Sequence, residues 1–128
     1  MIPITKPSLG EAEAAAAREV ILSGWVTQGP KVKAFEEAFA SYVGARYACA
    51  TSSCTAALHM ALRTVGVRPG DVVVTVSHSF IATANAVRAC GAEPVFVEVA
   101  PGSFNIDPDA LERCLTKDCE IRGDALYY

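Results

Sequence analysis

Residues 47–66 read YACATSSCTAALHMALRTVG, and residues 72–87 read VVVTVSHSFIATANAV. The first run passes from a short apolar segment through a turn of small residues, Ser52-Ser53-Cys54-Thr55, into a helix. The second is an apolar strand that delivers Phe80 to the mouth of the next helix. A helix N-terminus carries unsatisfied N–H groups and the positive end of the helix dipole, so small hydroxyl residues there offer a grip for an anion. The aromatic residue offers a flat face. Together they describe a pocket for a phosphorylated, planar, aromatic molecule.

Outward from this stretch, short apolar runs at 47–51, 72–76 and 95–99 alternate with helical stretches near 55–65, 81–90 and 108–115. That alternation predicts βαβ units and a mainly parallel sheet, an α/β fold. Val72-Val73-Val74-Thr75-Val76 is apolar at nearly every position, as in a strand covered on both faces. Such strands sit inside large sheets, and three strands do not make one. With apolar residues also at Leu126-Tyr127-Tyr128, the sequence reads as the front of something longer.

Upstream, Ser8-Leu9-Gly10-Glu11 predicts a capping box, followed by an alanine-rich helix to about Leu22 that stops at Ser23-Gly24. Gly24 to Gly29 is a glycine-bracketed loop, Pro30 suits a first helical turn, and Gly44 ends that second helix. Val32, Phe35, Phe39 and Tyr42 recur at helical spacing opposite Glu36 and Glu37. Asp107-Pro108 reads as an N-cap followed by a first-turn proline.

At 128 residues the chain is the size of one domain. Its 52% apolar and 20% charged residues lean to the apolar side of ordinary composition, which predicts a surface that meets more protein. The net charge of −3 comes with no basic stretch, so nucleic acid and anionic membrane surfaces lose their electrostatic basis. Five cysteines without CxxC spacing argue against a disulfide scaffold and against a zinc site; a reducing cytoplasm is expected, and no metal. The N-terminus lacks a signal-type apolar core and no apolar run reaches membrane-spanning length, so a soluble intracellular protein is expected.

Each candidate residue has a plain structural reading beside the functional one. The Ser52–Thr55 turn is also what an ordinary N-cap looks like. Phe80 can be core, and Trp25 either walls a substrate or pins its loop to the helices. His59, inside the helix, reads as structural. His78 stands near the C-terminal end of its strand, where open α/β sheets bind ligands. Cys54 is either a thiol activated by the helix N-terminus or a small spacer. GxGxxG, Walker-type, HExxH and GxSxG motifs are missing, which removes the main support for nicotinamide or nucleoside-triphosphate chemistry.

The order of the pieces carries more than any one of them. SGWVTQGPKVKAFEEAFASYVG, ACATSSCTAALHMAL, VRPGDVVVTVSHSFIATANAV and GAEPVFVEVAPGSFNIDPDALE, in that order, resemble the DegT/DnrJ/StrS sugar aminotransferases of the pyridoxal-phosphate fold-type I superfamily. The likeness runs from Ile2 to about Leu115. It implies the N-terminal part of a fold-type I large domain, with N-terminal helices over 1–45 and βα units over 46–128, the rest of that domain and a C-terminal small domain being absent. It implies pyridoxal 5'-phosphate as cofactor, with Cys54, Thr55 and Ala56 at its phosphate and Phe80 stacked on its ring. Cys54 stands where the family usually has glycine, and Val76 where a proline is common. The family's Schiff-base lysine and ring-nitrogen aspartate lie farther along than residue 128; Lys6, Lys31, Lys33 and Lys117 do not match the lysine's position, so no catalytic residue is expected here. The resemblance further implies a homodimer that moves an amino group from a donor such as glutamate to a nucleotide-linked keto sugar. A non-catalytic relative, or a sugar dehydratase on the same fold, remains an alternative at this point.

Overall fold

The computed structural model describes residues 5–122 and 125–128. It divides into two compact units, Met1–Ala50 and Thr51–Tyr128. The first unit holds two helices, α1 (Glu11–Ser23) and α2 (Pro30–Val43). Both end as the sequence predicts, at Gly24 and Gly44, whose φ of 75° and 71° lie in the left-handed region that glycine enters without a Cβ clash. Pro30 opens α2, where its missing N–H costs nothing.

The start of α1 differs from expectation. Gly10, not Ser8, is the N-cap, and its N–H donates to the Glu13 carboxylate at 2.7 Å. The carboxylate half of a capping box is kept while the hydroxyl half is missing, because glycine has no side chain to offer. The same hydrogen bond holds the Glu13 carboxyl below the usual carboxylate range.

The glycine-bracketed loop turns on Trp25, whose indole N–H donates to the Gln28 carbonyl at 2.9 Å. The ring lies so close to Gly29 that a Cβ there would fall 2.1 Å from the indole nitrogen. Gly29 is extended, at φ −171°, so close approach and not conformational freedom requires the glycine. Trp25 is the only tryptophan, which makes its position readable. Gly29→Ala should push the half-exposed ring outward and break its bond to Gln28, giving a red-shifted, more quenchable emission with little loss of helix signal. An unchanged emission spectrum would show that the ring is not held against Gly29.

In the second unit α3 (Cys54–Thr64) leads to β1 (Val72–Val76), α4 (Ala82–Ala89) and β2 (Glu93–Val97). β1 and β2 pair in parallel with Val74 opposite Val95, as expected of a βαβ unit. Val87, Cys90 and Ala92 form the buried cluster, with Leu62 of α3, Val67 and Val73 of β1 packed on it. On the other face of β1, Val72 and Val74 border a cavity of about 480 Å3 shared with Leu115, Tyr127 and Tyr128. The strand is therefore only partly covered: Val72 is exposed and Val73 to Val76 are half-buried, short of the full cover on both faces that its apolar run predicts.

Farther on, α5 (Pro108–Arg113) starts at Asp107, whose carboxylate accepts the Asp109 N–H at 3.0 Å. It runs into a π-helical turn, Cys114–Asp118, where a plain helix to 115 was expected. β3 (Glu120–Arg122) and β4 (Ala125–Tyr127) then pair antiparallel. The expected strand at 47–51 is not formed. A strand needs a neighbour's backbone, and among the described residues none lies alongside; instead the Ala50 N–H donates to the Glu36 side chain at 2.7 Å.

Candidate functional site

The turn before α3 is built by hydroxyls. Thr51 Oγ1 donates to the Ser53 carbonyl at 2.9 Å, and Ser53, the N-cap, accepts the Ala56 N–H on its own Oγ at 3.1 Å. The plain N-cap reading is therefore right for Ser53. It also leaves a specific opening: among the described residues, no protein group accepts from the backbone N–H of Cys54 or Thr55. Both residues are exposed, and the Thr55 hydroxyl stands free beside those two donors. An anion at this helix end meets two N–H groups, one hydroxyl and the helix dipole. The Ala56 N–H joins them only if the Ser53 hydroxyl rotates away.

Cys54 is an exposed free thiol at the first helical position. Ala56 is half-buried, and with Cys54 it keeps the approach to the backbone short of bulk.

Phe80 stands at the C-terminal end of β1, just before α4, and is 78% exposed. It lines a cavity of about 120 Å3 with Ser77, Ser79, Ile81, Thr83 and Phe96. The Ser79 and Thr83 hydroxyls, 2.8 Å apart, tie the loop that carries Phe80 to the first turn of α4. Phe80 is thus not a core residue in this unit. The cavity that Phe80 lines does not include the Cys54–Ala56 turn.

His78 is exposed at the same strand end, and its ring packs against Phe104, centroids 5.3 Å apart. Phe104 has φ of 58°, unusual for a residue with a side chain, and its N–H closes a tight loop by donating to Ala100. Sequence reasoning missed this contact, because the Ser103-Phe104-Asn105 stretch shows its left-handed residue only once folded. His59, on α3, is half-buried, in keeping with a structural role. In the first unit, Trp25 pins its own loop through Gln28, and it also faces a cavity of about 480 Å3 with Val20, Val26, Pro30 and Val32. Lys31 pairs with Glu19 at 3.0 Å and Lys33 with Glu37 at 3.8 Å. Among the described residues there is no cluster of metal-ligating side chains, and no helix is long and apolar enough to cross a membrane.

The second unit thus carries a parallel βαβ unit with an exposed aromatic ring at the C-terminal end of its first strand, preceded by a helix with an open, hydroxyl-bearing start. Residues 7–121 match the model of the DegT/DnrJ/EryC1/StrS aminotransferase family, and the chain belongs to that family. It is 44% identical over 115 residues to the spore coat polysaccharide biosynthesis protein SpsC of Bacillus subtilis, covering 90% of this chain and 30% of SpsC. Among solved structures it resembles the aminotransferase TlmJ of Streptoalloteichus hindustanus (42% identity, TM-score 0.76, 91% of this chain and 32% of TlmJ). It also resembles Spr1654 of Streptococcus pneumoniae in its PLP form (35% identity, TM-score 0.80, 88% of this chain and 29% of that one). Spr1654 in its PMP form matches with a TM-score of 0.82, at 35% identity over 90% of this chain and 29% of that one. The chain thus spans about a third or less of these relatives. The neighbours are aminotransferases, and the likeness establishes an α/β fragment of their fold.

Proposed function

We propose that these residues are the N-terminal part of the large domain of a pyridoxal-phosphate-dependent aminotransferase that acts on a keto sugar carried by a nucleotide. The observation that carries the reading is the pair of unengaged N–H groups at Cys54 and Thr55, at the start of α3, in a chain of this family. They fit a phosphate monoester by charge, by donor number and by exposure. Spr1654, a relative, has been solved in both PLP and PMP forms, the pair of cofactor states between which an amino group is carried.

Pyridoxal phosphate, when bound, supplies an electron-withdrawing ring through which an amino group passes between a donor such as glutamate and a keto group. The chain's own residues bind and orient. Cys54 and Thr55 donate backbone N–H groups and Thr55 its hydroxyl to the phosphate, with Ala56 beside them. Phe80 offers a ring face. In this reading the attaching lysine and the aspartate for the ring nitrogen lie outside these 128 residues, as does the small domain. A homodimer in the cytoplasm completes it, and no nucleic acid or membrane partner is involved. SpsC's role in polysaccharide biosynthesis favours the sugar substrate. These considerations place transamination ahead of a dehydratase or a non-catalytic role.

Two experiments test the reading. Residues 7–121 grafted over the matching segment of Spr1654 should retain cofactor and form 2-oxoglutarate from glutamate when a keto sugar is supplied. A folded graft that binds cofactor but releases none would contradict transamination. By itself, the 128-residue chain mixed with pyridoxal phosphate and reduced with borohydride should yield only scattered, weak lysine labelling. A single stoichiometric adduct at Lys6, Lys31, Lys33 or Lys117 would overturn the assignment of the lysine to another part of the protein.

A further inference from the structure

We propose that Phe104 is a positioning residue for Phe80: its ring, packed on His78, braces the loop at the end of β1 so that the Phe80 ring keeps one orientation toward the cofactor ring. This role rests on the proposed place of Phe80 at the cofactor. Phe104 has φ of 58°, in the left-handed region that a bulky residue rarely enters and that glycine or asparagine fills at less cost. Its ring is 60% exposed, so burial in a core does not account for it. What the ring meets is His78, with centroids 5.3 Å apart and planes inclined by 30°. An unfavourable backbone and an exposed ring are joined in one contact, and that contact falls two residues before Phe80.

The surroundings show why a brace matters there. The pairing of β1 with β2 ends at Val76 opposite Val97, so no strand ladder holds Ser77 to Phe80. Phe80 is 78% exposed, and its ring takes its direction mainly from the backbone that carries it. On one side that backbone is tied to α4 by the Ser79 and Thr83 hydroxyls, 2.8 Å apart. On the other side His78 rests on Phe104, whose own loop is closed. The Ala100 N–H donates to the Asn105 carbonyl at 2.8 Å, the Phe104 N–H to Ala100 at 3.1 Å and the Asp107 N–H to Glu98 at 3.0 Å. Val99 and Ile106 form an antiparallel bridge across its neck. The ring contact therefore carries the association of β1 with β2 past their last paired residues. Without it Phe80 is anchored from α4 alone, and its ring spreads over several directions.

Three variants in the Spr1654 graft separate this role from a merely structural one. Phe104→Asn removes the ring and suits the left-handed backbone, so the melting temperature should hold near wild type. Phe104→Tyr keeps the ring and should behave as wild type throughout. His78→Ala removes the same contact from an exposed position and stands in for Phe104→Asn should that variant fold poorly. Because Phe104 acts through His78, the double variant should be no worse than either single one.

The first readout needs no cofactor: amide hydrogen exchange in peptides spanning 77–85, where the Ser79, Thr83 and Asn85 N–H groups are hydrogen-bonded. Exchange there should be severalfold faster in Phe104→Asn and His78→Ala than in wild type or Phe104→Tyr, and unchanged in α3. The second readout is affinity, which should fall severalfold in both variants and by the same factor for pyridoxal phosphate and for pyridoxal, because the ring face and not the phosphate grip is disturbed. The circular dichroism of the bound cofactor should weaken with it. In a Phe80→Ala background both cofactor effects should vanish. Unchanged exchange over 77–85, additive losses in the double variant, or faster exchange across the whole unit with a lowered melt would each overturn the proposal. So would unchanged affinity in both variants of a graft that binds cofactor as wild type. A wild-type graft that binds neither ligand would overturn the cofactor reading itself, and this role with it.

Discussion

Purified by itself, the 128-residue chain should run in solution as associated species, not as a monomer. The cause lies in the second unit first: β1 and β2 pair only with each other among the described residues, so each presents an unmatched row of backbone donors and acceptors. Val72-Val73-Val74-Thr75-Val76 adds strong β-propensity without charge, the composition of a segment that recruits further strands. The first unit contributes a row of rings on α2: Phe35 and Phe39, 5.8 Å apart, are about half exposed, and Tyr42 is 89% exposed. Contiguous apolar surface of this kind marks a site that meets other protein. Light scattering behind a sizing column should therefore give twice the chain mass or more, rising with concentration. A monodisperse monomer with one cooperative melt would show that these edges and rings are self-sufficient.

In the Spr1654 graft, Thr55→Val should weaken pyridoxal phosphate binding by about tenfold or more. A hydrogen bond to a charged partner is worth roughly 1.5–3 kcal/mol, and about 1.4 kcal/mol is a factor of ten in affinity. Valine keeps the shape and removes only the hydroxyl. Phe80→Ala removes a ring face worth about 0.5–1.5 kcal/mol beyond its area. The phosphate grip is untouched, so affinity should fall severalfold and turnover should fall with it as the cofactor ring loses its orientation. His59→Gln, on the same helix and half-buried, should leave binding near wild type. Loss of binding in His59→Gln with wild-type affinity in the other two would redraw the site.

What the sequence made legible follows from how local each signal is. Gly24, Gly44, Pro30 and the Asp107-Pro108 step act within a turn of their own position, and all four stand where the sequence puts them. The parallel pairing of β1 with β2 was legible because the helix between them forces a crossover. The segment 47–51 failed as a strand because strand formation is decided by a partner that no local pattern reports. The three-residue strands β3 and β4 were too short for any period to appear. The shift of the first N-cap from Ser8 to Gly10 was a choice between two overlapping capping patterns, Glu11 and Glu13 each standing three residues after a candidate cap.

The candidate site was legible in the same uneven way. The small-residue turn and the strand-end aromatic were visible as types, and both prove to be exposed. That Ser53 engages the Ala56 N–H while leaving those of Cys54 and Thr55 open is a matter of one rotamer, which composition does not encode. The packing of His78 on the left-handed Phe104 likewise needs the loop closed by Ala100 and Asn105.

The central claim is that the start of α3 holds the phosphate of the cofactor. It is tested most directly by measuring, in the graft, the affinities of wild type and Thr55→Val for pyridoxal phosphate and for pyridoxal, which lacks the phosphate. The account predicts that Thr55→Val loses about tenfold or more for pyridoxal phosphate and leaves pyridoxal binding unchanged. Equal losses for the two ligands, or none for either, would contradict it.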